Sequence, residues 1–223
     1  MISVIIPVLN ERENLVRHIP LLLSAPFVEE VIIADGGSTD GSDKVAASLG
    51  VTVVSSPPGR SIQMNSGATV AKGKILYFLH ADTIPPVCFS QRILEAYSRK
   101  EKAGCFSLKF DHSHWLLNLS SSVTRWKLDC FRFGDQSLFV TRELFEEIGG
   151  FDEGRLIMED QHLIRKIKKY SEFTLLPGNV VTSSRRYLGY GVIRTQLKFF
   201  LVYLHSFFFS ATRNFSFYRR LFR

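Results

Sequence analysis

The C-terminal part of this chain contains no acid. From Arg185 onward there is no Asp or Glu, against eight Lys/Arg, while the preceding 184 residues hold 20 basic and 21 acidic groups. The formal net charge of +7 therefore belongs to the tail. A basic arm for nucleic acid is normally rich in Lys, Gly or Ser, and this one is loaded with Phe, eight of the nineteen falling between Phe199 and Phe222. No nucleic-acid partner is expected, and a membrane surface or a phosphate suits the charge better. Cysteine is scarce too. Cys88, Cys105 and Cys130 are odd in number and far apart, which excludes a disulfide framework and a zinc pattern and suggests buried thiols in a reducing compartment. No apolar run reaches the roughly 20 residues of a spanning helix. Met1 leads at once into the strand-like run Ile2–Pro7, so no signal peptide is expected. The expected location is cytoplasmic, with peripheral attachment to the inner face of a membrane as its extension. Low-complexity stretches, linkers and internal repeats are absent.

What is present is a core. Apolar residues make up 45% of 223 residues, which suits one large α/β domain. Ile2–Val8, Val28–Ala34, Val51–Ser55 and Lys74–Leu79 read as buried strands. Between them, Glu11–Ser24, Asp43–Leu49 and the segment from Pro57-Pro58-Gly59 to Ala71 read as helices, with Asp40 or Ser42 as a candidate cap of the second. Continuous apolar runs alternating with helices predict a mostly parallel, Rossmann-like sheet covered on both faces. Ligands of such sheets bind at the carboxyl ends of the strands, and Asn10, Asp35 and Asp82 each follow such an end. The second half predicts strands over Gly104–Phe110, Ser137–Thr141, Phe173–Leu176 and Val180–Ser183. Helices are expected over Trp115–Leu128, from Glu143, and over Met158–Tyr170 with Leu163, Ile164 and Ile167 facing the core.

The familiar phosphate motifs are missing. No GxGxxG follows the first strand, no Gly-Lys-Ser/Thr ends the loop Asp35-Gly-Gly-Ser-Thr-Asp-Gly41, and the glycine-rich basic loop of a nucleotidyltransferase is absent. In the loop Asp35–Gly41 the glycines let a backbone approach a ligand closely, and Asp35 at the strand end could accept an N–H from a base. Arg185-Arg186 follows a strand and precedes glycines; the pair reads as a solvated turn or as a diphosphate contact. Glu159 and Asp160 open a helix, where the dipole favours negative charge.

In order and spacing, "PVLNE", "DGGSTDG", "GRSIQMNSG", "HAD", "GDQSLFVTRELFEEIGGFDE" and "MEDQHLIRKI" resemble glycosyltransferase family 2, from Ile2 to about Arg186. "HADT", "GDQ" and "TSSRRY" are similar to a bacterial subfamily labelled as arsenosugar-biosynthesis glycosyltransferases. The resemblance implies the GT-A fold, a UDP-sugar or GDP-sugar donor, a divalent cation (Mn²⁺ or Mg²⁺) and inversion at the anomeric carbon. It implies a donor-side set of Pro7, Asn10, Glu11, Asp35, Gly36, Arg60, Asn65, Ala81 and Asp82, with Asp160 as catalytic base. On the acceptor or phosphate side it implies Gly134, Asp135, Gln136, Glu159, Arg165, Arg185 and Arg186. The family's metal motif carries two acids, and here His80 replaces the first, leaving Asp82 as the metal ligand. Imidazole is a poor partner for Mg²⁺ and an acceptable one for Mn²⁺, so His80 reads either as a contact to metal or phosphate or as a hydrogen-bonded strand end.

Residues 1–190 are therefore expected to form the GT-A domain, its nucleotide half ending near 110 and its acceptor half covering about 111–190. Residues 191–223 form a basic, Phe-rich helical appendage. Only 14 residues separate Lys198 from Arg213, about 21 Å of helix, too short for the bilayer core. That segment could pack on its own domain, join a homodimer, or lie in a membrane interface. The acceptor stays open. The rival readings are a non-catalytic sugar-nucleotide binder and, less favoured, a nucleotidyltransferase.

Overall fold

The computed structural model describes residues 1–124, 136–155, 157–208 and 211–221. The chain opens with β1 (Ile2–Val8), α1 (Arg12–Leu23), β2 (Val28–Asp35), α2 (Ser42–Ser48), β3 (Thr52–Ser55), α3 (Arg60–Val70) and β4 (Ile75–Phe78). It continues through β5 (Thr83–Ile84), α4 (Phe89–Ser98), β6 (Ala103–Phe110), α5 (Trp115–Val123), β7 (Leu138–Thr141), α6 (Arg142–Glu147) and α7 (Glu159–Ile167). Then come β8 (Thr174–Thr182), α8 (Arg185–Tyr190), α9 (Val192–Phe208) and α10 (Ala211–Leu221).

The strands form one sheet in the order β3-β2-β1-β4-β7-β6-β8-β5. β1 pairs in parallel with β2 and β4, β2 with β3, and β6 with β8, whereas β7 runs antiparallel between β4 and β6. Both faces are apolar because alternate residues of one strand enter different cores. Val4, Ile6 and Val8 join Leu15 and Ile19 of α1, while Ile5 points the other way onto Met64 and Ala68 of α3. β2 and β4 divide in the same manner, Ile33 and Tyr77 to one side, Ile32, Leu76 and Phe78 to the other. This two-sided burial is the cause of the unbroken hydrophobic runs.

The order reverses at β1, with β2 on one side and the later β4 on the other. Such a reversal leaves a crevice outside the carboxyl ends of the two central strands. Leu9–Glu11 leaves β1 there, and His80–Asp82 follows β4 across the same opening.

Several expectations change in detail. The two short strands foreseen at 173–176 and 180–183 are one strand, β8, with a register shift opposite Phe106 and Ser107 and Gly178 at φ +117°. Pro177-Gly178 bends the strand without ending its pairing to β6. The helix expected to 128 closes at Val123 within the described residues, and the Met158–Tyr170 helix is shorter, Glu159–Ile167. Arg185-Arg186 begins the short helix α8 instead of forming a turn. β5 and α4 were not anticipated. α9 buries Thr195 and Val202 against its own domain, while Ile193, Leu197, Phe200, Leu201 and Leu204 stay exposed.

Candidate functional site

The loops after β1 and β2 are sewn together by hydrogen bonds. Asp35, buried at the end of β2, accepts the N–H groups of Gly37 and Ser38 on its carboxylate. Asn10, at φ +59°, donates its N–H to Ser38 Oγ and accepts that of Thr39 on Oδ1. Asn tolerates this left-handed backbone better than most residues. Ser42 Oγ accepts the N–H of Glu11, and Asp40 accepts from Arg12 N and from both the amide and the hydroxyl of Ser42. Burial pushes the Asp40 carboxyl up, but these donors outweigh it and hold the group below the usual carboxylate range. Neither Asp40 nor Ser42 caps α2 by its side chain; Gly41 occupies the N-cap.

Gln63 locks this rim from below. Its Nε2 donates to Val8 O at 2.7 Å and to Ala34 O at 2.8 Å, so one buried amide of α3 holds the carboxyl ends of β1 and β2. Gly36 runs close over that amide, and a Cβ there would lie 3.0 Å from it. At the other side of the crevice, His18 Nδ1 lies 2.8 Å from Ala81 O; a carbonyl only accepts, so that nitrogen carries the proton. Thr83 pairs with Thr182 on β8, and Ser183 donates its N–H to Asp82 O. Asp82 is thus held by α1 and β8 together.

These elements enclose a cavity of about 620 Å³. Pro7, Glu11, Arg60, Ala81 and Asp82 line it, joined by His80, Arg185 and Arg186. Glu11 Oε2 accepts from Asn14, and Arg185 Nη2 donates to Glu11 Oε1 at 3.4 Å. Asp111 positions that arginine, because its Oδ1 accepts from both the N–H and the hydroxyl of Ser184, the residue preceding α8. Asp35, Asn10, Gly36 and Asn65 do not line the cavity. Asn65 instead clamps the loop before α7, donating to Phe151 O and Glu153 Oε1 and accepting from Phe151 N.

A second cavity, of about 350 Å³, adjoins the first and shares Arg60, Arg186, Tyr187 and Phe199 with it. Glu159, Asp160 and Gln161 line it from the first turn of α7. Met158, at φ +60°, turns the chain into that helix. Arg60 Nη1 lies 3.7 Å from Glu159 Oε1 and ties the two cavities together. β6, α5 and the C-terminal helices supply the remaining wall, including Val202, Tyr203 and Tyr218. Arg186 Nη1 donates to Tyr218 Oη at 3.1 Å.

Not every expected residue arrives here. Arg165 is exposed and lines neither cavity. Gln136 is buried at the start of β7, where its Oε1 accepts from the Cys105 thiol. Gly134 and Asp135 lie outside the described residues. Sequence reasoning missed His18, Gln63 and Gln161. The two glutamines sit inside motifs already singled out, "GRSIQMNSG" and "MEDQHLIRKI", but their neighbours are visible only once the strands are ordered.

The family model for glycosyl transferase family 2 matches residues 3–145. Glycosyltransferase AglE of Haloferax volcanii is 32% identical over 188 residues, covering 74% of this chain and 60% of AglE. Mannosyltransferase PcManGT from Pyrobaculum calidifontis, in complex with GDP-Man and Mn²⁺, superposes with a TM-score of 0.71 at 19% identity, over 96% of this chain and 66% of that one. S. aureus TarS 1–349, in complex with UDP-GlcNAc, gives a TM-score of 0.66 at 16% identity, over 82% of this chain and 58% of that one. The sheet and its helical layers are those of the GT-A fold, and this chain spans about three-fifths of these relatives' lengths.

Proposed function

The chain belongs to glycosyl transferase family 2, and from that premise we propose that it moves a sugar from a UDP-sugar or GDP-sugar donor to an acceptor hydroxyl with inversion. The observation that carries this reading is the 620 Å³ cavity at the switch point, where Asp82, Glu11 and three arginines converge. A nucleotide diphosphate is the ligand such a set suits. Arg60, Arg185 and Arg186 face the charge that grows on the leaving diphosphate. Asp35 and Glu11 with Pro7, Asn10, Gly36, Asn65 and Ala81 form the surroundings of the nucleoside and sugar. Asp160, across Arg60 from the donor cavity, takes the acceptor proton. The acceptor oxygen then bonds to the anomeric carbon as the bond from that carbon to the diphosphate breaks, and the nucleoside diphosphate leaves with the electron pair.

A divalent cation fits these residues in a limited way. Among the described residues no three His, Cys, Asp or Glu side chains gather into a metal cage. Among the described residues the Asp82 carboxylate engages only a long contact from Thr83 Oγ1 at 3.5 Å and keeps most of its accepting capacity. One carboxylate plus substrate phosphates is a usual way to hold Mg²⁺, and His80 beside it would favour Mn²⁺. When bound, the cation supplies further neutralisation of the diphosphate. The relatives in complex with GDP-Man and Mn²⁺ or with UDP-GlcNAc support the donor class. The arsenosugar subfamily remains the finer reading, on the "HADT", "GDQ" and "TSSRRY" segments alone.

The place of work follows from α9. No helix among the described residues is long and apolar enough to cross a membrane, yet its exposed apolar stripe lies in a segment with eight basic residues and no acid. Charge complementarity favours an anionic membrane surface as the occupant of that stripe.

The test is turnover. Purified protein with Mn²⁺ should release UDP or GDP from its nucleotide sugar. Asp160→Asn should keep nucleotide binding and lose transfer by about 10² or more. Binding without turnover in the wild type would make the protein a sugar-nucleotide binder, and pyrophosphate release from a nucleoside triphosphate would make it a nucleotidyltransferase.

A further inference from the structure

Gln161 is an anomaly on the wall of the second cavity. It is 4% exposed, and among the described residues neither its Oε1 nor its Nε2 has a hydrogen-bond partner. Buried amides are nearly always paired, so a bare one beside a cavity marks a place where a ligand completes the bonding. Of the other polar groups of the second cavity, Glu159 Oε1 has no hydrogen bond among the described residues and lies 3.7 Å from Arg60 Nη1, while its neighbours are engaged. Gln196 Nε2 donates to Ser120 Oγ at 2.7 Å, and Thr124 Oγ1 donates to Ser121 O and accepts from Leu108 N. The rest of the wall is largely apolar or aromatic: Leu108, Phe110, Tyr187, Phe199, Val202 and Tyr203.

We propose that this second cavity is the acceptor subsite and that it takes a neutral amphipathic alcohol, its apolar body on the aromatic wall and its hydroxylated head on Gln161. The proposal rests on the glycosyl-transfer reading above and names the acceptor class that reading leaves open. An amide offers one accepting oxygen and one donating nitrogen side by side, and a hydroxyl both donates and accepts. A phosphate or carboxylate can only accept: the cations it would seek, Arg60 and Arg186, stand on the wall shared with the first cavity, and at Gln161 it would meet Oε1 with Glu159 and Asp160 beside it. A free sugar would satisfy the amide and leave the aromatic wall bare. Asp160 precedes Gln161 on the same turn and lines the same cavity, so a hydroxyl held there lies beside the carboxylate that must take its proton. α9 thereby becomes part of the site, because Phe199 and Val202 close the cavity from the C-terminal side.

Isothermal titration of the full chain with n-octyl β-D-glucoside, kept below its micelle concentration, tests this. Glucose and n-octyl phosphate serve as comparators, and UDP or GDP with Mn²⁺ is titrated in parallel. Octyl glucoside should bind about tenfold or more tighter than either comparator. Gln161→Leu, close in size but without the amide, should weaken it by about tenfold, leaving nucleotide affinity unchanged. Val202→Trp, which fills the cavity, should abolish it, with circular dichroism verifying that both variants are folded. Tighter binding of octyl phosphate overturns the neutral class. Unaltered binding in Gln161→Leu or Val202→Trp overturns the site, since the detergent would then sit on the outer surface. Nucleotide binding without octyl glucoside binding overturns the acceptor proposal alone, whereas loss of both removes the transferase reading on which it stands.

Discussion

Asp82 and His80 line one cavity but differ in what they can give a cation. A carboxylate beside phosphate oxygens suits either Mg²⁺ or Mn²⁺, while a single imidazole suits the softer metal. Asp82→Ala should weaken Mn²⁺-dependent UDP or GDP binding by about tenfold or more, and His80→Ala should do so less. Equal losses by calorimetry would make the histidine a full ligand. His162 gives a second residue-scale test. Burial, with Arg155, Lys166 and Arg165 near it, pulls its pKa below the ordinary value despite Asp152 at 3.7 Å. A depressed histidine is neutral in both states at high pH, and below about pH 6.5 the unfolded chain binds the proton first. Stability should therefore fall as pH drops from about 6.5 through the lowered folded value. Thermal melts of His162→Gln should show a shallower loss over that window. The residues sequence could place were those in loops right after buried strands, such as Glu11 and Asp82. Gln63 and Gln161 were hidden because their significance is a neighbour far away in the chain, or the lack of one.

Helix α3 carries the tightest demand among the elements. Gly67 presses on the sheet, and a Cβ there would lie 2.5 Å from Ile5 Cγ2. Gly67→Ala gains helix propensity in the unfolded comparison but must push α3 off β1. A net destabilisation of about 1–3 kcal/mol is expected by chemical denaturation. Because Arg60 and Gln63 ride on that helix, nucleotide affinity should fall in the same variant. Unchanged stability would mean that α3 slides freely. The parallel half of the sheet was legible because its strands are buried on both faces and read as plain apolar runs. α4 was not, since Cys88 precedes it with no side-chain cap and its buried Phe89, Ile93 and Ala96 are too few to stand out. β5 has two residues, below any pattern, and only its pairing to β8 defines it.

At the scale of the whole molecule, the tail faces two ways. The sequence left three destinations for its apolar residues, and α9 meets one of them with Thr195 and Val202 packed inward. Its outer stripe still needs a neighbour. Flotation with phosphatidylglycerol vesicles should recruit the protein, and phosphatidylcholine vesicles should not. Recruitment should fade as salt screens the charge. Leu197→Glu with Leu204→Glu, both exposed positions, should abolish flotation without touching the cavity wall. A protein that never floats, and whose dimer dissociates in that variant, would place a second copy on the stripe instead. The pairing of Thr83 with Thr182, and of Ser183 N–H with Asp82 O, has a plainer mechanical meaning. The chain passes from that tie directly into Ser184 and Arg185, so the acid and the guanidinium that line the first cavity are staked to the same short piece of sheet. The two backbones therefore move as one body, and whatever shifts β5 with β8 carries the acid and the cation along together.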